Sequence, residues 1–212
     1  TRLSHSKLTI GMMCTIAPTH LVGLLGAAHS RHCGVELDIV DGTGRVLQGR
    51  LISGALEIAG YALPGEAQDE RLHYMPLFRE QFVIVTSPTH PLAEKNAVLV
   101  KELDGQRYLN RINCEYNGIA GPIFRQQGAD YQMVYRSERD DWIQAMAAAG
   151  LGFGFMPEHS VNYPGVVARP LIEPEFWREV NLVTVRGRPH SPAAGALGRG
   201  AMRNPWMVEP AL

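Results

Sequence analysis

"SERDDWIQAMAAAGLGFGFMPE", residues 137–158, holds three glycines in a G-x-G-x-G run, the kind of run that often cradles phosphate. Chain order decides its meaning. A dinucleotide loop places its glycines after a strand and before a helix, so that the helix N-terminus faces the phosphates. Here the order is reversed. Ser137 reads as an N-cap, and Glu138, Asp140 and Asp141 fall in a first turn, where acidic groups suit the helix dipole. Trp142, Ala145, Met146 and Ala149 then recur at helical spacing. Gly150 stands at the left-handed stop, and "GFGFM" reads as a short buried strand closed by Pro157. The glycines end a helix and open a strand, which sets nucleotide binding aside and predicts an α/β fold.

Working outward, the same alternation recurs. "KLTIGMM" reads as a strand and "PTHLVGLLGAAHSRHC" as a helix with Leu21, Leu24, Leu25 and Ala28 on one face, stopped by Gly34. "VELDIVDG" is a second strand. "TGRVLQGRLISG" is a short helix with Val46, Leu47, Leu51 and Ile52 inward, and "ALEIAGYAL" is a third strand. The opening sixty residues therefore read β-α-β-α-β, the signature of a parallel sheet covered by helices. After the polar loop "PGEAQDE", "RLHYMPLF" and "EQFVIVTSP" read as two strands, and Val100–Leu103 as a short helix before the strand "RYLNR". A helix is expected from Pro122, with proline at its first position and Gly128 as its stop. "YQMVYRS", "GVVARPLI" and "EVNLVTVRG" read as strands, and "SPAAGALGRGAMR" as a terminal helix. The second half repeats the logic of the first. No Pro- or Ser-rich linker separates them, so strands are expected to pass directly between two α/β lobes, leaving a cleft at the crossing.

Bulk composition narrows the class. The chain has 212 residues, 45% hydrophobic and 19% charged, with net charge −1, enough apolar material for real cores. No apolar run is long enough to span a bilayer, and the N-terminus lacks the pattern of a secretory signal. The near-neutral charge argues against a broad nucleic-acid surface here. Cys14, Cys33 and Cys114 are too few and too scattered for a disulfide framework, and a reducing cytoplasm is expected.

Five stretches in register carry a resemblance: "GMMCTIAPTHLVGLL", "GTGRVLQGRLISGALEIA", "PLFREQFVIVTSPTHPLA", "AAAGLGFGFMPE" and "SPAA". In order and spacing they resemble the effector-binding domain of LysR-type transcriptional regulators, from about Lys7 to Arg203. "NPWMVEPAL" at the end lies outside the pattern. The resemblance implies a periplasmic-binding-protein-like fold, with residues 1–80 and 181–206 in a first regulatory lobe and 81–180 in a second. It implies a small-molecule effector, with an anion as one candidate, held in the interlobe cleft. It also implies homodimers or homotetramers, and DNA contact through an N-terminal winged helix-turn-helix that this chain does not contain.

Physical reasoning and resemblance then pick out site residues. Ligands of α/β lobes bind beyond the carboxyl ends of strands, near helix N-termini. Cys14 and Thr15 end the first strand and Thr43 the second. Similar regulators keep a Ser or Thr at the two threonine positions; each hydroxyl serves a ligand or caps its own helix. From the second lobe, the polar strand end "YLNRINCEYNG" offers Asn110, Asn113 and Cys114. Arg111 reads either as a partner for an anionic effector or as a solvated surface charge. Thr86, Phe155 and Met156 are pocket walls or ordinary core.

Cys114 carries a second implication. Peroxide-sensing members of the family keep a reactive cysteine near this place and another several residues later, where this chain has an apolar residue near Phe124. A disulfide switch of that kind is not expected, and a one-cysteine sensor needs an exposed thiol of lowered pKa. Adjacent Glu115 would raise it. His29, His32 and Cys33 share one helical turn, but no further metal ligand is indicated. No catalytic motif, base or cofactor loop stands out, so no enzyme, metal or cofactor is expected. A ligand-responsive regulator leads; the alternatives are an oxidant sensor through Cys114 and a stand-alone solute-binding protein.

Overall fold

The computed structural model describes residues 6–29 and 35–203. The chain divides into two compact units, one comprising Thr1–Arg79 and Glu179–Leu212, the other Glu80–Arg178.

In the first unit, β1 (Ser6–Met13) lies parallel to β2 (Val35–Gly42) and to β3 (Ile58–Tyr61). α1 (Pro18–His29) and α2 (Gly44–Ser53) are the crossovers between them. After β3 the chain enters β4 (Leu72–Thr86), which carries it from the first unit into the second after Arg79. The reading of two strands here is corrected. Arg79 separated the two expected strands, but the backbone runs extended through it.

The second unit continues with β5 (Val98–Leu99), a 3-10 turn at Val100–Leu103, β6 (Arg107–Arg111), α3 (Ala120–Gln126) and β7 (Gln132–Ser137). Then come α4 (Asp140–Ala148), β8 (Phe153–Pro157), β9 (Val167–Ile172) and β10 (Trp177–Val185), which returns to the first unit after Arg178. α5 (Pro192–Arg203) closes the described chain. Strand order is β2-β1-β3-β10 in the first unit and β4-β8-β6-β7 in the second, with β9 pairing both β4 and β5.

Helices cover both faces of each sheet, and strand alternation sorts the core accordingly. In the first unit Leu8, Ile10, Ile58 and Leu182 meet Leu24 of α1 and Leu197 of α5. Met13, Ala59 and Val183 point the other way, onto Leu47 and Leu51 of α2. Val46, expected inward, is exposed, because the α2 face is set by Leu47 and Leu51. In the second unit Phe82, Ile84, Tyr108, Phe153 and Phe155 gather around Phe124 of α3, while Val83, Val85, Leu109 and Met156 meet Ile143 and Ala147 of α4.

The opening stretch behaves as its chain order requires, with a shift at the start. Ser137 ends β7, and its hydroxyl accepts from Arg139 N at 3.0 Å; α4 begins only at Asp140. That late start rotates the inward face to Ile143, Gln144 and Ala147 and leaves Trp142 57% exposed. Each glycine has a structural reason. Gly150 has φ +77°, which a side chain resists; a Cβ on Gly152 would stand 2.4 Å from Arg107 O; one on Gly154 would meet Val85 at 2.8 Å. α3 starts at Ala120, before the expected Pro122, which falls within the first turn among N–H groups that need no helical partner. His32, Cys33, Gly34 and "NPWMVEPAL" lie outside the described residues.

Candidate functional site

The second unit contains a cavity of about 240 Å³ between β6, β7 and the start of α3. Tyr108, Tyr116, Phe124, Tyr131 and Phe155 bring aromatic rings to its wall, between polar and small residues. Tyr108 meets Tyr131 edge-on with ring centroids 4.9 Å apart, and Phe124 meets Phe155 at 5.6 Å. Asn110 and Cys114 supply polar wall atoms, and Met133 and Arg125, both exposed, lie toward solvent.

Strand geometry explains which residues share this space. Tyr108 and Asn110 are two apart on β6 and face the same way; Leu109 and Arg111 face the other, toward α4. Asn110 is 3% exposed, and its side-chain nitrogen has no hydrogen-bond partner in the protein. A buried donor without an acceptor costs free energy, which marks the position for an explanation.

Cys114 sits on a turn that follows β6. Its N–H donates to Arg111 O at 3.1 Å and its carbonyl accepts from Asn117 N at 2.9 Å. Gly118, with φ +81°, lets the turn re-enter α3. Burial pushes the Cys114 thiol up to about 12; Arg111 pulls against this and Glu115 adds to it. The group is therefore a neutral thiol at physiological pH. Burial likewise raises the Tyr108 phenol, which stays protonated.

Arg111 is not a solvated surface charge. It is 1% exposed, which corrects the surface-charge reading, and it does not line the cavity. Its Nε and Nη2 donate to Asp140 of α4 at 2.6 and 2.8 Å, a two-pronged pair. Burial disfavours its charge, but Asp140 outweighs that and keeps it protonated.

A second buried ionic group anchors the turn. Arg178 of β10 donates to Glu80 of β4 through Nε at 2.8 Å and Nη2 at 2.6 Å, and through Nη1 to Glu115. Glu80 also accepts from His159 N at 3.1 Å and pairs with His159 Nδ1 at 3.0 Å. Burial works against the Glu80 charge; the His159 hydrogen bond and the Arg178 charge prevail and hold it at about 2. Tyr116 adds a further tie, its hydroxyl donating to Trp177 O at 2.5 Å. The segment that presents Cys114 is thus fastened on both sides of the cysteine.

Of the residues singled out by sequence, Asn110, Cys114 and Phe155 line one cavity. Thr86 is buried but lies on β4, with β8 between it and β6, and Met156 faces α4. In the first unit Cys14 N donates to Gly42 O at 3.1 Å, so the ends of β1 and β2 adjoin. Thr15 is buried and Thr43 half-buried. Thr43 occupies the N-cap position of α2, yet its side chain makes no capping hydrogen bond. Sequence reasoning missed Tyr108, Tyr131, Glu80 and Arg178. Tyr108 was accessible through its two-residue spacing from Asn110; the ion partners were not, lying 98 residues apart. No cluster of three or more metal-ligating side chains occurs among the described residues, and no helix there is long and apolar enough to cross a membrane.

Comparison with known families bears on this geometry. The family model for the LysR substrate binding domain matches residues 1–200. The chain belongs to that family. It is a LysR-type effector-binding domain, with the mixed α/β, periplasmic-binding-protein-like fold of such domains. The C-terminal domain of a probable LysR family regulator from Rhodococcus sp. RHA1 superposes with TM-score 0.81 at 21% identity, covering 93% of this chain and 99% of that one. The effector-binding domain of QuiR, solved in complex with shikimate, gives 0.79 at 18% identity, covering 94% and 97%. The transcriptional dual regulator OxyR of Escherichia coli K12 is 29% identical over 188 residues, 86% of this chain and 61% of that protein. This LysR-type chain thus spans about three fifths of that relative's length, and the relatives it resembles are transcriptional regulators.

Proposed function

We propose that this chain is the ligand-sensing part of a longer LysR-type transcriptional regulator, and that a small-molecule effector binds in the cavity of the second unit. The observation that carries the reading is Asn110, a buried amide donor lacking a protein acceptor on the wall of a cavity. An occupant that accepts its hydrogen bond removes the cost of the unpaired donor. Cys114 and Phe155 complete the contact, on a turn tied to β4 and β10 through Glu115 and Arg178. Effector binding shifts the populations of two arrangements of the homo-oligomer, and so the DNA binding of the complete protein. Thr43, whose hydroxyl does not cap α2, is a separate candidate contact in the first unit, beside Cys14 and Thr15. Arg111, already paired with Asp140, serves the framework.

The test is transcription from the regulator's own promoter by the full-length protein, screened against a panel of small metabolites in wild type and in Asn110→Leu. The account expects a responsive compound whose effect the variant loses. A response that Asn110→Leu leaves intact removes the cavity from the mechanism.

A second reading, oxidant sensing at Cys114, is favoured by the peroxide-inducible activators among the relatives, such as that of Pectobacterium carotovorum, 29% identical over 194 residues. The buried, protonated thiol works against it. Mass spectrometry after dilute peroxide decides: sulfenic or sulfinic acid at Cys114 favours sensing, and an unmodified Cys114 ends it.

A further inference from the structure

The chemistry of the cavity wall narrows what enters it, an inference that rests on the assignment of this cavity as the effector site. We infer that its ligand is an uncharged single-ring aromatic carbonyl compound, rather than the anion expected from sequence.

Three observations converge. The first is size. An apolar cavity of roughly 150 Å³ accepts benzene; one of about 240 Å³ admits a ring with a small substituent and little more. The second is the wall. Tyr131, Phe124 and Phe155 line the cavity, with Phe124 edge-on to the other two, and such rings suit another ring in offset or edge-on contact. The third is charge. Arg125 is the only formally charged residue on the lining, and it is exposed. Cys114 and Tyr108 are both held neutral by burial, and Arg111 is spent on Asp140 outside the cavity. A carboxylate carried inward would meet no buried cation, and desolvating it is costly. A ketone or aldehyde oxygen carries no such penalty and accepts from the Asn110 side-chain nitrogen, the donor the protein leaves unmatched.

Acetophenone and benzoate share ring and shape and differ in charge. Calorimetric titration of each into the 212-residue chain at pH 7.5 reads the inference directly. Acetophenone is expected to bind at least tenfold more tightly, a difference of about 1.4 kcal/mol. Asn110→Leu is expected to lose acetophenone at least tenfold while its Tm stays at or above that of wild type, since an unpaired buried donor is removed. Met133→Trp, at a rim position 47% exposed, provides a second block that spares the core. Tighter benzoate binding that both substitutions weaken overturns the ligand class and leaves the site standing. Failure of both compounds to bind, or binding that neither substitution changes, overturns the class and the site together.

Discussion

Around Ile10 and Leu47 the first unit buries mostly aliphatic side chains, with Tyr61 as its one aromatic among the described core residues; around Phe155 the second buries Phe82, Tyr108, Phe124, Phe153 and Phe176. The polar content differs too. Glu80, Arg111 and Arg178 are all buried in the second unit, whereas no carboxylate or guanidinium is buried in the first among the described residues. Both units use the same sheet-and-helix plan, so the difference does not come from the architecture. It teaches where the specificity lies. Aliphatic packing tolerates volume-conserving exchange, while a paired charge or an edge-on ring fixes one geometry. The second unit, which holds the cavity beside Asn110, carries the buried ion pairs and most of the edge-on ring contacts.

The largest effect expected from breaking that difference is at Arg178. Arg178→Met takes the guanidinium away from the buried Glu80 and Glu115 carboxylates, leaving His159 beside Glu80, and the cost is about 3–5 kcal/mol. Urea unfolding followed by Trp142 and Trp177, both in the second unit, measures it. Arg188→Met, which removes bonds to the Leu51 and Ile52 carbonyls of the first unit, should cost only about 1 kcal/mol. An equal loss from the two would erase the contrast. Acid acts on the same network. The Glu80 carboxyl lies near 2 in the folded protein, below its ordinary 4.5, so its contribution is intact above pH 4.5 and is lost as pH falls toward 2. His159 works oppositely: its pKa is raised from 6.5 by Glu80, so its contribution is complete below pH 6.5 and fades as pH climbs through the raised value. Unfolding of Glu80→Gln across this range should show a weaker acid dependence than wild type.

Glycine substitutions sharpen the comparison at a smaller scale. A Cβ on Gly11 of the first unit meets the tips of Leu56 and Leu47 at 2.7 and 2.8 Å, which can turn aside. One on Gly152 meets the Arg107 carbonyl at 2.4 Å, which cannot. Gly152→Ala should therefore cost about 2–3 kcal/mol and Gly11→Ala about 1 kcal/mol. Thermal unfolding in which Gly11→Ala is the worse of the two would contradict the stiffness assigned to the second unit. The smallest effect is at Thr43. With no capping bond to lose, Thr43→Ala should change stability by less than about 0.5 kcal/mol, below the usual loss for an N-cap. A drop above 1 kcal/mol would show that the hydroxyl caps after all.

Sequence periodicity was sufficient for the order of elements, because β-α-β alternation and the Gly150 stop are local signals. Resemblance, not periodicity, singled out Asn110, Cys114 and Phe155, which line one cavity here, together with Cys14, Thr15, Thr43, Thr86 and Arg111, which do not line it. Sequence reasoning misjudged Arg111, because neighbours on a strand face opposite ways and the partner Asp140 lies 29 residues later. It broke β4 at Arg79, because charged residues read as a strand end unless the buried Arg178 that donates to Glu80 is known. The α4 face was rotated for a similar reason. Ser137 caps well in isolation, but here β7 claims it. Each of these three misses turns on residues far apart in the chain, whereas Val46 and the start of α3 were local misreadings of a helix face and a helix end.

The central claim, that recognition occurs within the second unit against Asn110, is tested most directly by the crystal structure of the chain soaked with acetophenone. The account predicts density for one ring beside Phe155 and Tyr131, with the ketone oxygen about 3 Å from the Asn110 side-chain nitrogen. Density for the ligand beside Thr43 alone, or an Asn110 amide bonded to a protein group with no ring alongside, would contradict it.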